Sequence, residues 1–196
     1  MGSEEHSFPM PDENSLARLR AGELLLQNDG SDENGTAVSI MVFIHAPVER
    51  IWAIIISCRY AYAFVAGLKL CEVLEERGDY AVTRQVVDKG WAMPTLDFTF
   101  ATTREPHRRM EFRLIRGDLK ILHGSWDFET FPDGVLVRHA LVLQPAMPAP
   151  RWLVRRNVKK DLPNMLSCIR GLSEGSGSAQ AISADRLRCP GEVQAR

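Results

Sequence analysis

The sequence predicts an α+β fold: a curved antiparallel sheet wrapped around a long C-terminal helix, with two short helices after the first strands. Three observations carry that expectation. The stretch 117–172 reads as strand, turn, strand, proline-rich break and one long helix. The strands alternate apolar and polar residues, so each has a single apolar face. The last helix places Val154, Val158, Leu162, Met165, Leu166, Ile169 and Leu172 at helical spacing, so it too has one apolar stripe. Laying the sheet's apolar face on that stripe is the simplest way to bury both.

Taken in order, residues 1–15 are charged, polar and punctuated by proline, and are expected as a disordered tail. Residues 175–196 have the composition of a flexible tail, which leaves 16–174 as one domain. Leu24, Leu25 and Leu26 suggest a strand over Leu16–Asn28, the polar run Asp29–Gly35 a loop, and Thr36–His45 a strand rich in β-branched and aromatic residues. Pro47 suits a first helical turn, and Val48, Ile51, Trp52 and Ile55 share a face after it. Tyr60–Val65 gives a second short helix, ended by Gly67.

Strands are then expected at Lys69–Glu76, Tyr80–Asp88, Leu96–Arg104 and Arg109–Arg116. In the third, Leu96, Phe98 and Phe100 alternate with Asp97, Thr99 and Ala101. In the fourth, Met110, Phe112 and Leu114 alternate with Glu111, Arg113 and Ile115. Pro132-Asp133-Gly134 supplies the turn of a hairpin whose strands carry Leu122, Trp126 and Phe128, then Val135, Val137, His139, Leu141 and Leu143, at one parity. Pro163 lacks a backbone donor and is expected to bend the last helix or mark its restart.

At 196 residues and 45% hydrophobic, the chain is long enough for one buried core. A formal charge of −1 gives no global bias toward nucleic acid or anionic membranes. Cys58, Cys71, Cys168 and Cys189 are scattered, with no C-x-x-C, and are expected as reduced thiols of an intracellular protein. The N-terminus is acidic where a signal peptide is basic and then apolar, and His6 breaks the myristoylation pattern. No apolar run is long enough to span a bilayer. A soluble, cytoplasmic protein is expected. P-loop, G-x-G-x-x-G, H-E-x-x-H and G-x-S-x-G patterns are absent, so nothing in the sequence supports a nucleotide, zinc or serine-hydrolase reading, and no cofactor or metal is expected.

Several runs carry a resemblance. Ile44-His-Ala-Pro-Val-Glu-Arg-Ile-Trp52 resembles the opening signature of the START-like (SRPBCC, helix-grip) superfamily, and more specifically its polyketide cyclase/dehydrase and coenzyme Q-binding branch. The likeness continues at Phe64–Leu68, Gly117-Asp118-Leu119, Gly124-Ser125-Trp126, Pro145 and Pro150-Arg151-Trp152-Leu153, covering roughly residues 38–173. Departures are Ala66, where many relatives have proline, and His139, where many have tyrosine. The turn Glu76–Asp79 lacks the glycine-rich loop of the plant branches. The resemblance implies a helix-grip domain around an apolar cavity. It is more specific to fold than to activity.

His139 shares the apolar parity of its strand and is the best candidate for a polar group inside such a cavity, set against a plain core histidine. Trp126, Phe98, Phe112, Leu141, Val158, Leu162 and Met165 are the expected apolar ligand contacts. Arg84 would join them if the parity of Tyr80, Val82 and Val86 faces inward. If Thr83 and Gln85 face inward instead, it is merely solvated. Asp97 and Asp127 fall on polar parities and are weak candidates for catalysis. Trp91 and Met93 lie in a loop that would suit a lid. Arg151, Arg155, Arg156, Lys159 and Lys160 form a basic patch, either a solvated outer face or a site for lipid headgroups or RNA.

Three functional readings follow. The first is a binding protein for a lipid, quinone or polyketide-like molecule. The second is a cyclase/dehydratase using the same cavity, ranked lower because the sequence offers one plausible inward histidine. The third is a ribosome- or RNA-associated protein working through the basic patch, by resemblance to ribosome-binding toxins of the branch.

Overall fold

The computed structural model describes residues 10–32, 35–90, 94–147, 150–175 and 189. Its elements are α1 (Glu13–Arg20), β1 (Leu24–Asp32), β2 (Gly35–Ile44), α2 (Val48–Ile55), α3 (Cys58–Phe64), β3 (Leu68–Arg77), β4 (Tyr80–Val87), β5 (Leu96–Glu105), β6 (Arg109–Gly117), β7 (Leu119–Phe131), β8 (Gly134–Pro145) and α4 (Arg151–Glu174). The strands make one antiparallel sheet ordered β1-β2-β8-β7-β6-β5-β4-β3, so β3 to β8 meander and β2 closes on β8. The expected architecture is the one observed.

The sheet's concave face and α4 form the main core. Val38, Ile40, Val42 and Ile44 of β2 and Val135 and Val137 of β8 meet Leu162, Leu166 and Ile169 of α4, with Ile51, Trp52 and Ile55 of α2 closing one end. The opposite face of β2 and β8 is apolar as well. There Met41, Phe43 and Leu136 pack against Leu19 of α1, which explains why β2 is buried on both sides. α1 is a finding the sequence did not suggest. Asp12 caps it by accepting from the Ser15 N–H at 2.7 Å, so Leu16–Arg20 are helical rather than part of a strand. The helix also reaches back into the segment expected as a tail. Within the run Asp29–Gly35, expected as a loop, residues 29–32 instead extend β1 and Gly35 opens β2, with a register shift between Gln27 and Gly30.

The hairpin turn is where the sequence put it, with Phe131 pairing Gly134 across Pro132-Asp133. Gly134 is required there: its φ is 154°, and a Cβ would come within 2.4 Å of the Ile44 carbonyl oxygen. His45 fastens this corner. Its Nδ1 lies 3.0 Å from the Asp133 carbonyl and its Nε2 3.2 Å from the Arg20 carbonyl, while its backbone N–H donates to Glu174 Oε1 at the end of α4. Two carbonyls can only accept, so this pair of contacts favours the doubly protonated ring. The hydrogen bonds to Arg20 and Asp133 hold the His45 pKa above its ordinary value. α4 runs without interruption through Pro163.

The cysteines correct the sequence reading. Cys58, at the start of α3, is bonded to Cys71 of β3, and Cys168 of α4 to Cys189, with Cα separations of 5.4 and 5.3 Å. Neither pairing can be read from spacing, because it is the docking of α3 on β3 that brings Cys58 to Cys71.

Candidate functional site

A cavity of about 190 Å³ lies between the concave face of β4–β8, the α2–α3 junction and Met165 of α4. Its wall is mainly apolar, with Phe98, Phe100 and Phe112 across the sheet and Ile55, Ala61 and Phe64 from the short helices. Curvature and side-chain size create the space. α4 meets β2 closely at one side, while the strands from β4 to β7 curl away from it. Gly124 keeps the floor low: a Cβ there would sit 2.6 Å from Phe112 Cζ and 2.0 Å from the Ala140 carbonyl oxygen.

One row of residues crosses this floor in register. Arg104 of β5 pairs with Met110 of β6, Met110 with Trp126 of β7, and Trp126 with His139 of β8. Three strand spacings put the α-carbons of Arg104 and His139 about 14 Å apart along the sheet, less across its curve.

His139 is buried and stacked on Trp126, ring centroids 4.0 Å apart with 22° between planes, and Phe112 lies 5.7 Å to another side. Its Nδ1 is 3.1 Å from the Ser125 carbonyl oxygen. Because that oxygen can only accept, Nδ1 carries the proton and Nε2 is left as an acceptor. Burial pushes the pKa down to about 4, against a smaller opposing effect of the bond to Ser125. The ring is therefore neutral at physiological pH.

Arg104 holds the other end of the row. Its side chain is 10% exposed and its Nη1 pairs with Glu76 at 2.7 Å. Its Nε is buried with no hydrogen-bond partner. Thr83, Gln85 and Thr102 line the cavity with it and make this end polar. Sequence reasoning missed Arg104, although the signal was present: the parity of Leu96, Phe98 and Phe100 continues through Thr102 to Arg104.

Of the expected contacts, His139, Trp126, Phe98, Phe112, Leu141 and Met165 line the cavity. Val158 and Leu162 do not; they lie on the side of α4 that packs into the main core. Arg84 is corrected as well. Gln85 and Thr83 stand opposite Phe98 and Phe100, so these two face inward and Arg84 faces outward. On the convex face its Nε and Nη2 donate to Asp97 at 3.0 and 2.7 Å. Asp127 also points outward, accepting from Ser125 Oγ at 2.9 Å and pairing closely with Arg109. Neither carboxylate is near the cavity. Trp91 and Met93 lie outside the described residues. Among the described residues, no group of three His, Cys, Asp or Glu is placed to hold a metal, and no helix is long and apolar enough to cross a membrane.

A meandering antiparallel sheet closed by a terminal helix over an internal cavity defines a helix-grip domain. The chain belongs to the polyketide cyclase / dehydrase and lipid transport family, whose model matches residues 44–170. No curated protein sequence matches it. Its fold is similar to that of TTHA0849 from Thermus thermophilus, at 21% identity over 70% of this chain and 94% of that one, TM-score 0.57. It is similar to the Zhui aromatase/cyclase from Streptomyces sp. R1128, at 20% identity over 70% and 93%, TM-score 0.57. A STAR-related lipid transfer protein from Xanthomonas axonopodis is similar at 16% identity over 76% and 90%, TM-score 0.62.

Proposed function

We propose that the chain binds a compact, mostly apolar molecule carrying oxygen acceptors, in the cavity between sheet and α4. The observation that carries this reading is Arg104, which lines the polar end of a mainly apolar cavity and whose buried Nε has no partner. Leaving a buried donor unsatisfied costs about 1–3 kcal/mol, and a ligand oxygen would recover that cost. At the other end of the row, His139 Nε2 would accept from a ligand hydroxyl. Volume decides the ligand's size. A dry cavity of roughly 150 Å³ takes up benzene, so about 190 Å³ suits one or two fused rings. A quinone or polyketide-like ring system fits that bound, while a whole lipid or a coenzyme Q tail would need the α2–α3 junction to open.

Native mass spectrometry of the full chain, followed by solvent extraction, tests the proposal. The expected passenger is a small aromatic or polyketide-like molecule. A long-chain lipid bound at one to one would overturn the size assignment. Filling the cavity with Ala61→Trp is expected to abolish uptake, and Met165→Trp does the same from the other wall; uptake unchanged in both would place the ligand elsewhere.

The second reading is a cyclase or dehydratase acting in the same cavity. An arginine donor and a histidine acceptor in one row favour it, since enolate chemistry needs a base and a charge stabiliser. Against it stands a His139 pKa of about 4, far below the range in which a general base works best at neutral pH. Binding is therefore preferred.

The two disulfides support an oxidising compartment as the chain's location. In a reducing compartment the two disulfides would be carried as dithiols. Alkylation at the moment of lysis is expected to leave Cys58, Cys71, Cys168 and Cys189 unlabelled. Labelled protein would place the chain in a reducing compartment instead.

A further inference from the structure

The first half of α4 is built against its own stability. No acidic residue stands between Arg151 and Lys160, and the first turn carries none. The N-terminal end of a helix already bears partial positive charge, so cations there are disfavoured. Arg155 and Lys159, and Arg156 and Lys160, sit four residues apart, where like charges repel. Among the described residues, none of these four cations takes part in an ion pair. The next acid, Asp161, is already held by Lys89 at 2.7 Å. Lys89 also donates to the Ala66 carbonyl at 2.7 Å, which fixes the basic turns to the loop beside the cavity.

A second, independent observation says what kind of surface would meet this charge. Trp152, on the first turn, is 64% exposed, the most exposed large apolar side chain among the described residues, and Met147 just before the helix is 48% exposed. Tryptophan concentrates where hydrocarbon meets water, because its ring has an apolar body and a polar N–H. Basic residues beside such an anchor are drawn to anionic headgroups.

We infer that the N-terminal half of α4 is a docking surface for an anionic lipid bilayer, with Trp152 and Met147 entering the interface and Arg155, Arg156 and Lys159 meeting the headgroups. Charge alone would fit RNA equally well; the protruding tryptophan and methionine decide for a bilayer. The contact is peripheral and reversible, since one aromatic and a handful of cations give far less than a spanning helix. It stands on the surface alone and does not depend on what the cavity holds.

Co-sedimentation of the full chain with phosphatidylcholine vesicles, with and without phosphatidylserine, tests it. Binding is expected only when phosphatidylserine is present, falling as salt rises. Each cation near an anionic surface contributes enough that the triple variant Arg155→Gln, Arg156→Gln, Lys159→Gln should bind roughly a hundredfold more weakly. Trp152→Ser should weaken binding about tenfold while the charge and the fold are unchanged. Equal binding to both vesicle types, or a triple variant that binds as well as the parent, would overturn the assignment. Retention on ribosomes or poly(U) RNA without retention on vesicles would overturn it in favour of a nucleic-acid surface. Loss of cavity uptake in Ala61→Trp with vesicle binding intact separates this inference from the cavity reading.

Discussion

Arg104→Met is expected to weaken ligand binding by tenfold or more while leaving the free protein as stable as before, or slightly more so. The side chain is 10% exposed and spends one nitrogen on Glu76, which is itself 56% exposed and can return to solvent. The remaining donor, Nε, is buried without a partner. Methionine fills similar space without a polar atom, so the unfolded-to-folded transfer loses a desolvation penalty of about 1–3 kcal/mol. In the complex Arg104, which lines the cavity, would give a charge-assisted hydrogen bond, worth about 1.5–3 kcal/mol, or roughly ten- to a hundredfold in affinity. Stability and binding should therefore move in opposite directions. Chemical denaturation and a ligand titration on the same preparation read both. A marked loss of stability with unchanged affinity would make Arg104 a structural residue and remove it from the site.

His139→Phe is expected to flatten the acid limb of the stability curve. The folded protein holds this imidazole neutral, with a pKa of about 4 against an ordinary value of 6.5. Between those values the unfolded chain binds a proton that the native state refuses, so stability falls as pH falls. The contribution is fully present above about pH 6.5 and is lost progressively toward about pH 4. For a shift of that size the loss amounts to about 2 kcal/mol between roughly pH 7 and pH 4.5. Phenylalanine keeps a ring between Trp126 and Phe112, so at neutral pH the variant should stay within about 1.5 kcal/mol of the parent. Urea unfolding across this range gives the answer. An acid limb as steep as the parent's would mean that His139 is not the group responsible. His45 acts in the opposite sense: its raised pKa stabilises below its ordinary pKa and is lost as pH rises through the folded value.

The residues that could be read in advance are those whose period matches their element. The alternation in β5 to β8 and the helical stripe of α4 gave the curved sheet and its covering helix. Pro47 and Pro132-Asp133-Gly134 marked a helix start and a hairpin because their backbone chemistry is local. His139 and Trp126 were legible because strand parity assigned them a face. What escaped depends on contacts between distant segments. Parity alone could not orient β4, since Thr83 and Gln85 are polar and Arg84 lies between valines. Only the pairing with β5 settles it. α1 is short and largely polar, and it is held by the second apolar face of β2 and β8, which the strand pattern did not announce. Cys58 and Cys71 meet only because α3 docks on β3. Val158 and Leu162 were placed by their stripe but not by their depth, because the sheet touches α4 on one side and leaves the cavity on the other.

The measurement that most directly tests the cavity assignment is a calorimetric comparison of naphthalene and 1-naphthol, titrated into the parent protein and into Arg104→Met. Both molecules suit a cavity of about 190 Å³, and they differ by one oxygen. Burying roughly 250 Å² of ring surface, at about 25 cal/mol per Å², gives about 6 kcal/mol before the costs of association. Binding in the tens of micromolar or weaker is therefore expected. The parent should prefer the naphthol by about tenfold, and Arg104→Met should erase that preference while still binding naphthalene. Equal affinities in the parent, or a preference that survives in the variant, would contradict a cavity that recognises ligand oxygen through Arg104.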